Sequence, residues 1–227
     1  MSEDKRKKLV IAIDGPAGSG KSTVTKLVAK RLGLLYLDTG AMYRALTLKA
    51  MRTNLNLEDE NALIEMARDT DIKLKIDPGS DRIRVLLDGE DVTLDIRTPE
   101  LTDRIKYIAK VPGVRACMVK IQRSIGEEKG AVLEGRDTTT VVFPDADYKF
   151  YLDADLNERA KRRFKELKAL GMKAKLEEVQ EDARSRDASD RTRSVGPLKR
   201  AEDAIYIDTT NMAIDDVVRR ILSEVES

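Results

Sequence analysis

Asp14-Gly15-Pro16-Ala17-Gly18-Ser19-Gly20-Lys21-Ser22-Thr23 is a glycine-rich run that lies between an apolar segment and a helical pattern. Residues 15–22 match the spacing G-x-x-x-x-G-K-[ST], in which backbone N–H groups surround nucleotide phosphates. In such a loop the lysine reaches the β- and γ-phosphates, and the serine hydroxyl binds Mg²⁺. The run therefore predicts a nucleoside triphosphate site in which residues 15–23 bind the phosphates and Ser22 is the metal ligand.

Short apolar segments alternate with helical patterns along the chain, and this alternation predicts an α/β fold. We expect an open five-stranded parallel sheet with helices on both faces. Continuous apolar runs predict its buried strands at residues 9–13, 34–37, 131–134, 148–152 and 204–207.

Residues 71–95 have a different pattern. Short segments of alternating polar and apolar residues are separated by two turn dipeptides, Pro78-Gly79 and Asp88-Gly89. This pattern predicts a small antiparallel β insert with strands at residues 72–76, 83–87 and 92–93. Thr98-Pro99 then predicts a helix start, with threonine as the N-cap and proline in the first turn.

The composition excludes several classes of function. The 227 residues include 42 Lys+Arg and 41 Asp+Glu, so the net charge is +1 and we expect no nucleic-acid partner. There is no histidine, which excludes Ser-His-Asp catalysis and histidine-ligated metals. Cys117 is the only cysteine, and we interpret it as a core side chain. No apolar run is long enough for a membrane span or a signal peptide, so we expect a cytoplasmic protein without a membrane partner.

A second anion-binding pattern follows the phosphate loop. Thr39 and Gly40 open a helical pattern whose first turns carry Arg44. Arg136 follows the predicted strand at residues 131–134, at the sheet edge where open α/β sheets bind ligands, and Arg186 and Arg193 suit bidentate recognition of phosphate. Two anion sites indicate a donor triphosphate and a phosphorylated acceptor. Since the second pKa of a phosphate monoester is about 6, such an acceptor needs no histidine base; it needs Lys, Arg and Mg²⁺ as counter-charge.

With these motifs the chain resembles the bacterial cytidylate kinases, of the nucleoside monophosphate kinase group of phosphate-loop proteins. The resemblance covers nearly the whole length. Besides the glycine-rich run it rests on residues 38–44, Gly135-Arg136-Asp137, residues 141–146, Arg186-Asp-x-x-Asp-Arg-x-Arg193, Pro197-Leu198 and Asp208-Thr-Thr210.

The resemblance implies a single kinase chain with a core at residues 8–70 and 111–227. It further implies a monophosphate-binding insert at about 71–110 and a short lid at about 155–173. The implied reaction is Mg²⁺-assisted in-line transfer from ATP to CMP or dCMP, and we expect a monomer. A kinase for another acceptor such as UMP, and a nucleotide-gated binding module, are the alternatives; the lack of a guanine-reading Asn/Thr-Lys-x-Asp motif counts against the module.

Residue roles carry over by position. Lys21, Arg136 and Arg193 would be catalytic, and Thr39, Arg44, Arg136 and Arg193 would hold the acceptor phosphate. Arg186 and Asp190 would face the ribose, while Arg115 and Asp137 would read the cytosine edge. The role of Asp137 also has a physical reason, because the N4 amino group of cytosine donates to a carboxylate whereas uracil presents an acceptor there. The ATP-binding set would be Gly15, Pro16, Ala17, Gly18, Ser19, Gly20, Lys21, Ser22, Thr23 and, in the lid, Arg159 and Arg163.

The sequence departs from the family pattern at two positions. Thr139 stands where the family usually has glycine, and a positive φ there would strain a threonine. Lys106 stands where a base-contacting serine is common, and we assign it no binding role. Glu134, at the end of a predicted strand, could organise Mg²⁺ through water or serve as a structural hydrogen-bond acceptor.

Overall fold

The computed structural model describes residues 9–77, 83–169 and 171–226. The chain divides into two compact units, one formed by residues 1–36 with 126–227 and the other by residues 37–125. The predicted Pro78-Gly79 turn lies outside the described residues. Among the residues that are described, no helix is long and apolar enough to cross a membrane.

The secondary structure follows the predicted alternation of strands and helices. In chain order the elements are β1 Val10–Asp14, α1 Lys21–Leu32, β2 Leu35–Asp38, α2 Thr39–Arg52, α3 Glu60–Arg68, β3 Ile72–Ile76, β4 Ile83–Leu87, β5 Glu90–Asp91, a 3-10 turn at Asp95–Arg97, α4 Pro99–Ala109, α5 Pro112–Lys129, β6 Ala131–Gly135, a π-helical turn at Thr138–Val142, β7 Tyr148–Asp153, α6 Leu156–Ala169, α7 Leu176–Thr192, β8 Ile205–Asp208 and α8 Ile214–Glu226.

The predicted five-stranded parallel sheet is confirmed. Its strand order is β2-β6-β1-β7-β8, so β1 lies at the centre and pairs in parallel with both β6 and β7. Parallel strands present their carboxyl ends at one edge, where ligands bind in open α/β sheets. The glycine-rich run follows β1 at this edge, and Arg136 and Asp137 follow β6 beside it, because Asp14 is in register with Gly135.

Alternate residues of the central strands form the core beneath the phosphate loop. Ile11 and Ile13 of β1 are buried with Phe150 and Leu152 of β7, and the same cluster includes Val24 and Val28 of α1 and Val217 and Ile221 of α8. Two helices thus pack on one face of the sheet, and this packing fixes where α1 begins. Fully burying one such aliphatic side chain contributes about 1.5–3 kcal/mol.

The second unit contains the small antiparallel sheet, the helices α2 to α4 and most of α5. The sheet has the order β3-β4-β5, with Ile72 opposite Leu87 and Leu87 opposite Glu90. The third strand is therefore Glu90–Asp91, and its predicted place at residues 92–93 was wrong. Thr93 is buried beside that strand, and its hydroxyl accepts from the Val85 N–H at 2.9 Å, so a side chain replaces a strand pair there.

Candidate active site

The phosphate loop holds three glycines with positive φ, at Gly15, Gly18 and Gly20. A Cβ atom on Gly15 would lie 1.9 Å from the carbonyl oxygen of Leu152, so the loop begins in direct contact with β7. Gly20 is the N-cap of α1 in the left-handed conformation, and no side chain caps that helix. The first N–H groups of α1 therefore keep their capacity to bind an anion, as the motif requires.

Lys21 is buried within the loop that precedes it. Its Nζ donates to the carbonyl oxygen of Pro16 at 2.7 Å and lies 3.4 Å from Ser19 Oγ. Burial, and then the positive charge of Arg136, lower the pKa of Lys21 from 10.5 to about 7, although Glu134 and Asp14 oppose the change. The ammonium group is thus poorly solvated, a setting in which a phosphate would bind strongly.

Ser22, Glu134 and Tyr36 form a chain of hydrogen bonds beside Lys21. The Ser22 hydroxyl donates to Glu134 Oε2 at 2.8 Å, and the Tyr36 hydroxyl donates to Glu134 Oε1. Hydroxyl and carboxylate oxygens are the ligands that Mg²⁺ accepts, usually together with phosphate oxygens and water. No group of three or more Asp, Glu or Cys side chains placed to hold a metal occurs among residues 9–77, 83–169 and 171–226. The oxygen pair fits a metal whose remaining ligands are phosphate oxygens and water.

Arg159, predicted to bind ATP, is buried beneath the loop. Its guanidinium donates to the carbonyl oxygens of Ala154 and Ala17 at 3.0 and 3.1 Å and to Asp187 Oδ2 at 2.7 Å. Both members of the Arg159–Asp187 pair are almost fully buried. Arg159 therefore ties α6 and α7 to the phosphate loop.

Arg163, the other lid arginine predicted to bind ATP, lies on the surface of α6, where it pairs with Glu166 at 3.1 Å. Arg162 instead faces the loop. Its Nη1 lies 3.9 Å from the position that a Cβ atom on Gly20 would occupy. Its guanidinium donates to the hydroxyl and carbonyl oxygens of Thr209 at 3.1 and 2.6 Å.

A charge network follows β6 in the same unit. Arg136 Nε donates to Asp190 Oδ2 at 2.8 Å, and Arg193 lies 3.6 Å from both Asp190 Oδ1 and Asp137 Oδ1. Arg193 also donates to the carbonyl oxygen of Gly196. Burial by itself would lower the pKa of Arg136, but the carboxylates of Asp190, Glu134 and Asp14 together outweigh it and the pKa is raised. Four of the predicted acceptor residues thus lie together, namely Arg136, Asp137, Asp190 and Arg193. Arg186 is half-buried on the same helix as Asp190.

Thr139 does not adopt the strained backbone considered from the sequence. The positive-φ residues other than glycine in the described chain are Asn54 and Asp88. Thr139 lies in the π-helical turn, where its N–H and hydroxyl both donate to Asp14 Oδ2, at 2.7 and 2.6 Å. Thr138 makes the same pair of bonds to Asp14 Oδ1, at 2.9 and 2.7 Å.

The predicted acceptor residues of the second unit lie on α2 and α5. Asp38 caps α2 by accepting from the Ala41 N–H at 2.8 Å, and it also accepts from Arg44 at 2.9 Å. Thr39 is the buried first residue of that helix. Arg115 is buried on α5, donates to the Ala109 carbonyl at 3.1 Å and lies 5.5 Å from the ring centre of Tyr43. Lys106 lies 5.3 Å from the ring centre of Tyr107.

Sequence reasoning missed four residues of the first unit that support the loop. They are Tyr36, which contacts Glu134; Arg162, which faces Gly20; Asp187, which neutralises Arg159; and Thr209, whose hydroxyl donates to the Ser19 carbonyl at 3.0 Å. Thr209 belongs to Asp208-Thr-Thr210, a motif whose position was noted without a role. Tyr36 carries no local signal, because its partner Glu134 is 98 residues away. Arg162 and Asp187 lie in charged helical stretches, which the sequence does not distinguish from solvated helix faces.

Known proteins resemble this chain over nearly its full length. The family model for cytidylate kinase matches residues 11–227. A cytidylate kinase of Caldanaerobacter subterraneus subsp. tengcongensis is 52% identical over 93% of this chain and 92% of its own. One of Desulforamulus reducens is 52% identical over 95% of this chain and 96% of its own. Among solved structures, an uncharacterized protein from Eubacterium ventriosum has a TM-score of 0.51 at 14% identity, covering 97% of this chain and 99% of that one, which supports the fold alone.

Proposed function

The chain belongs to the cytidylate kinase family, and on that premise we propose that it transfers the γ-phosphoryl group of ATP to the phosphate of CMP or dCMP. The products would be ADP and CDP or dCDP. The observation that carries this proposal is the placement of a buried lysine and an arginine–carboxylate network at the ends of neighbouring strands. Lys21 lies in the phosphate loop after β1, and Arg136 and Asp137 directly follow β6.

We propose that the donor phosphates bind the N–H groups at the start of α1 and displace the Lys21 ammonium from the Pro16 carbonyl. Lys21 then neutralises charge on the β- and γ-phosphates, which a buried ammonium held by a neutral carbonyl and a hydroxyl in its own loop can do. Arg162, held beside Gly20 by Thr209, supplies a second positive charge at the same loop. Arg159 and Arg163 remain proposed ATP ligands by family position.

The metal site we propose consists of Ser22 as ligand and Glu134 as the acceptor that orients a metal-bound water. The hydrogen bond between them brings the two oxygen groups within 2.8 Å of each other. When bound with ATP, Mg²⁺ would supply counter-charge for the triphosphate. Tyr36 keeps Glu134 oriented through its own hydrogen bond.

For the acceptor we propose that Arg136 and Arg193 bind the phosphate and that Asp137 accepts from cytosine N4. Arg186 and Asp190 are assigned to the ribose, and Thr39, Arg44 and Arg115 complete the set by family position. Arg136 and Arg193 share Asp190 as a counter-ion, so two guanidinium groups face one carboxylate and retain capacity to balance an incoming phosphate. The acceptor phosphate is itself the nucleophile, and these residues align it and balance its charge.

A coupled assay of ADP release over CMP, dCMP, UMP, AMP and GMP tests the proposal. We expect kcat/KM for CMP and dCMP to exceed that for the other three. Lys21→Ala is the matched control for contaminating kinases, and it should abolish turnover while the circular dichroism spectrum stays unchanged. Equal use of UMP and CMP would overturn the assigned specificity, and ADP release that needs no acceptor would indicate a nucleotide-hydrolysing module.

A further inference from the structure

A buried carboxylate joins the start of the phosphate loop to the segment that carries Asp137. Asp14, Thr138 and Thr139 are each almost completely inaccessible to solvent. Each oxygen of Asp14 accepts two hydrogen bonds from one threonine, the first from its N–H and the second from its hydroxyl, with all four distances between 2.6 and 2.9 Å. We call these three residues the Asp14 clamp.

The position of the clamp links two segments with different proposed tasks. Asp14 directly precedes Gly15, where the phosphate loop begins, and Thr138 directly follows Asp137. Hydrogen bonds to an ionised acceptor are shorter and stronger than neutral ones, and here four converge on one carboxylate. The clamp therefore restrains the backbone next to Asp137 more firmly than an ordinary turn would.

The two segments differ in how much else holds them. The phosphate loop has further anchors, because Arg159 donates to the Ala17 carbonyl and Thr209 to the Ser19 carbonyl. In the π-helical turn, the backbone bonds from Val141, Val142 and Phe143 run to Asp137 and Thr138 and are local. They fix the shape of the turn, and the clamp bonds its first residues directly to the end of β1. Arg193 also contacts the Asp137 side chain at 3.6 Å. Since the phosphate loop keeps Arg159 and Thr209 when the clamp is lost, we expect the turn to shift more than the loop.

We propose that the Asp14 clamp positions Asp137 for recognition of the acceptor base, so that Thr138 and Thr139 act as specificity-determining residues without touching the substrate. The inference rests on the proposed function, because it concerns the same acceptor. A base-reading hydrogen bond tolerates little displacement, and a shift of about 1 Å at a positioned group can cost on the order of 100-fold in rate. A small movement of the turn is enough to weaken discrimination.

The test compares Thr139→Val, which removes the hydroxyl at nearly constant shape, with Thr139→Ser, which keeps both donors. Thr47→Val is the matched control, since Thr47 is an equally buried threonine whose hydroxyl donates to the Tyr43 carbonyl at 2.8 Å. For each variant, KM and kcat are measured for CMP, UMP and ATP well below the melting temperature. We expect Thr139→Val to raise KM for CMP about tenfold and narrow the CMP/UMP ratio, with KM for ATP changed less than about twofold. Thr139→Ser and Thr47→Val should match the wild type.

Three outcomes would overturn the inference. The first is a lower melting temperature for Thr139→Val with KM for CMP and the CMP/UMP ratio unchanged, which would make the clamp purely structural. The second is an equal rise in KM for ATP and CMP, which would mean that it holds the phosphate loop. If Thr139→Val does not fold, Thr139→Ala repeats the test without added volume. The third outcome is that neither Thr139→Val nor Thr139→Ala folds while Thr139→Ser does. A wild-type enzyme that leaves CMP unphosphorylated would instead remove the proposed function, and this inference with it.

Discussion

At the scale of single residues, the ionisation of Lys21 is the property most directly linked to nucleotide binding. With its pKa lowered to about 7 by burial and by Arg136, the side chain is mostly neutral in the free protein at pH 8. A triphosphate beside the ammonium favours the charged form and raises that pKa. Binding of ATP should therefore take up a proton, and ATP affinity should fall as the pH rises above 7.

We predict uptake of close to one proton per ATP bound at pH 8, where free ATP itself is fully deprotonated. Calorimetric titration in two buffers with different ionisation enthalpies measures this number, and Lys21→Met, which has no titrating group, should reduce it to near zero. The unfolded chain, with a lysine pKa of 10.5, binds more protons than the folded one between about pH 7 and 10.5, so the stability of the free wild type should rise with pH across that window. Uptake that is the same in both proteins would contradict the assignment.

A second prediction concerns Asp137, whose carboxylate is proposed to read cytosine. Asp137→Asn keeps the shape of the side chain but adds a donor, so it should narrow the CMP/UMP ratio of kcat/KM by roughly 5- to 150-fold, or about 1–3 kcal/mol. The variant also weakens the contact with Arg193 at 3.6 Å, which should lower the rate with both acceptors. The ratio is therefore the informative quantity.

Arg136→Met is the matched control for that experiment, because Arg136 is assigned to phosphate and neighbours Asp137 in the chain. It should lower kcat/KM for CMP and for UMP alike and leave the ratio of the two values nearly unchanged. If Asp137→Asn lowers kcat/KM for both acceptors by the same factor, cytosine recognition would have to be reassigned, with Arg115 and Lys106 considered next.

The residues of the site differ in how far the sequence predicted them. The spacing of Gly15, Gly20 and Lys21 was sufficient to predict the shape of the loop, because a phosphate loop works through its own backbone and one side chain. Tyr36 and Asp187 were not predictable, since they act on partners 98 and 28 residues away. Such contacts depend on strand order and helix placement, which local patterns do not encode.

At the scale of elements, the Arg159–Asp187 pair determines how α6 and α7 are held to the phosphate loop. A buried pair that loses one member leaves an uncompensated charge, at a cost of about 3–5 kcal/mol. We predict a loss of that size in unfolding free energy for Arg159→Met, measured by denaturant titration. Arg163→Met, on the exposed face of the same helix, should stay within about 0.5 kcal/mol of the wild type.

A double variant, Arg159→Met with Asp187→Leu, removes both charges and should recover much of the lost stability. A role of Arg159 in ATP binding without the structural role would give a different pattern. In that case Arg159→Met would raise KM for ATP with little change in unfolding free energy, and the structural account of this arginine would be wrong.

The elements themselves were predicted well where a local rule applies. Thr98 accepts from the Leu101 N–H at 3.3 Å with Pro99 at the start of α4, as the Thr-Pro pair indicated. The third strand of the small sheet was misplaced because Val92 and Thr93 have the composition of a strand, yet Thr93 bonds Val85 through its side chain. Strand propensity reflects burial and packing more than backbone pairing, so the pattern alone could not separate the two.

At the scale of the whole molecule, the composition and the proposed chemistry agree. A chain with 42 Lys+Arg, 41 Asp+Glu and no histidine provides charge balance but no imidazole base. Two arginines of the first unit are paired with carboxylates, Arg136 with Asp190 and Arg159 with Asp187. On this basis we propose that the protein aligns and neutralises two phosphates, while the acceptor brings its own nucleophile.

The acid limb of the pH profile tests this claim most directly. With CMP, kcat/KM should fall below about pH 6, where the acceptor phosphate gains its second proton. Replacing CMP by its thiophosphate or phosphonate analogue changes the pKa of the acceptor and leaves the protein unaltered, so the midpoint of the acid limb should move with the acceptor. A midpoint that stays at the same pH with all three acceptors would place the titrating group on an enzyme carboxylate and contradict the account.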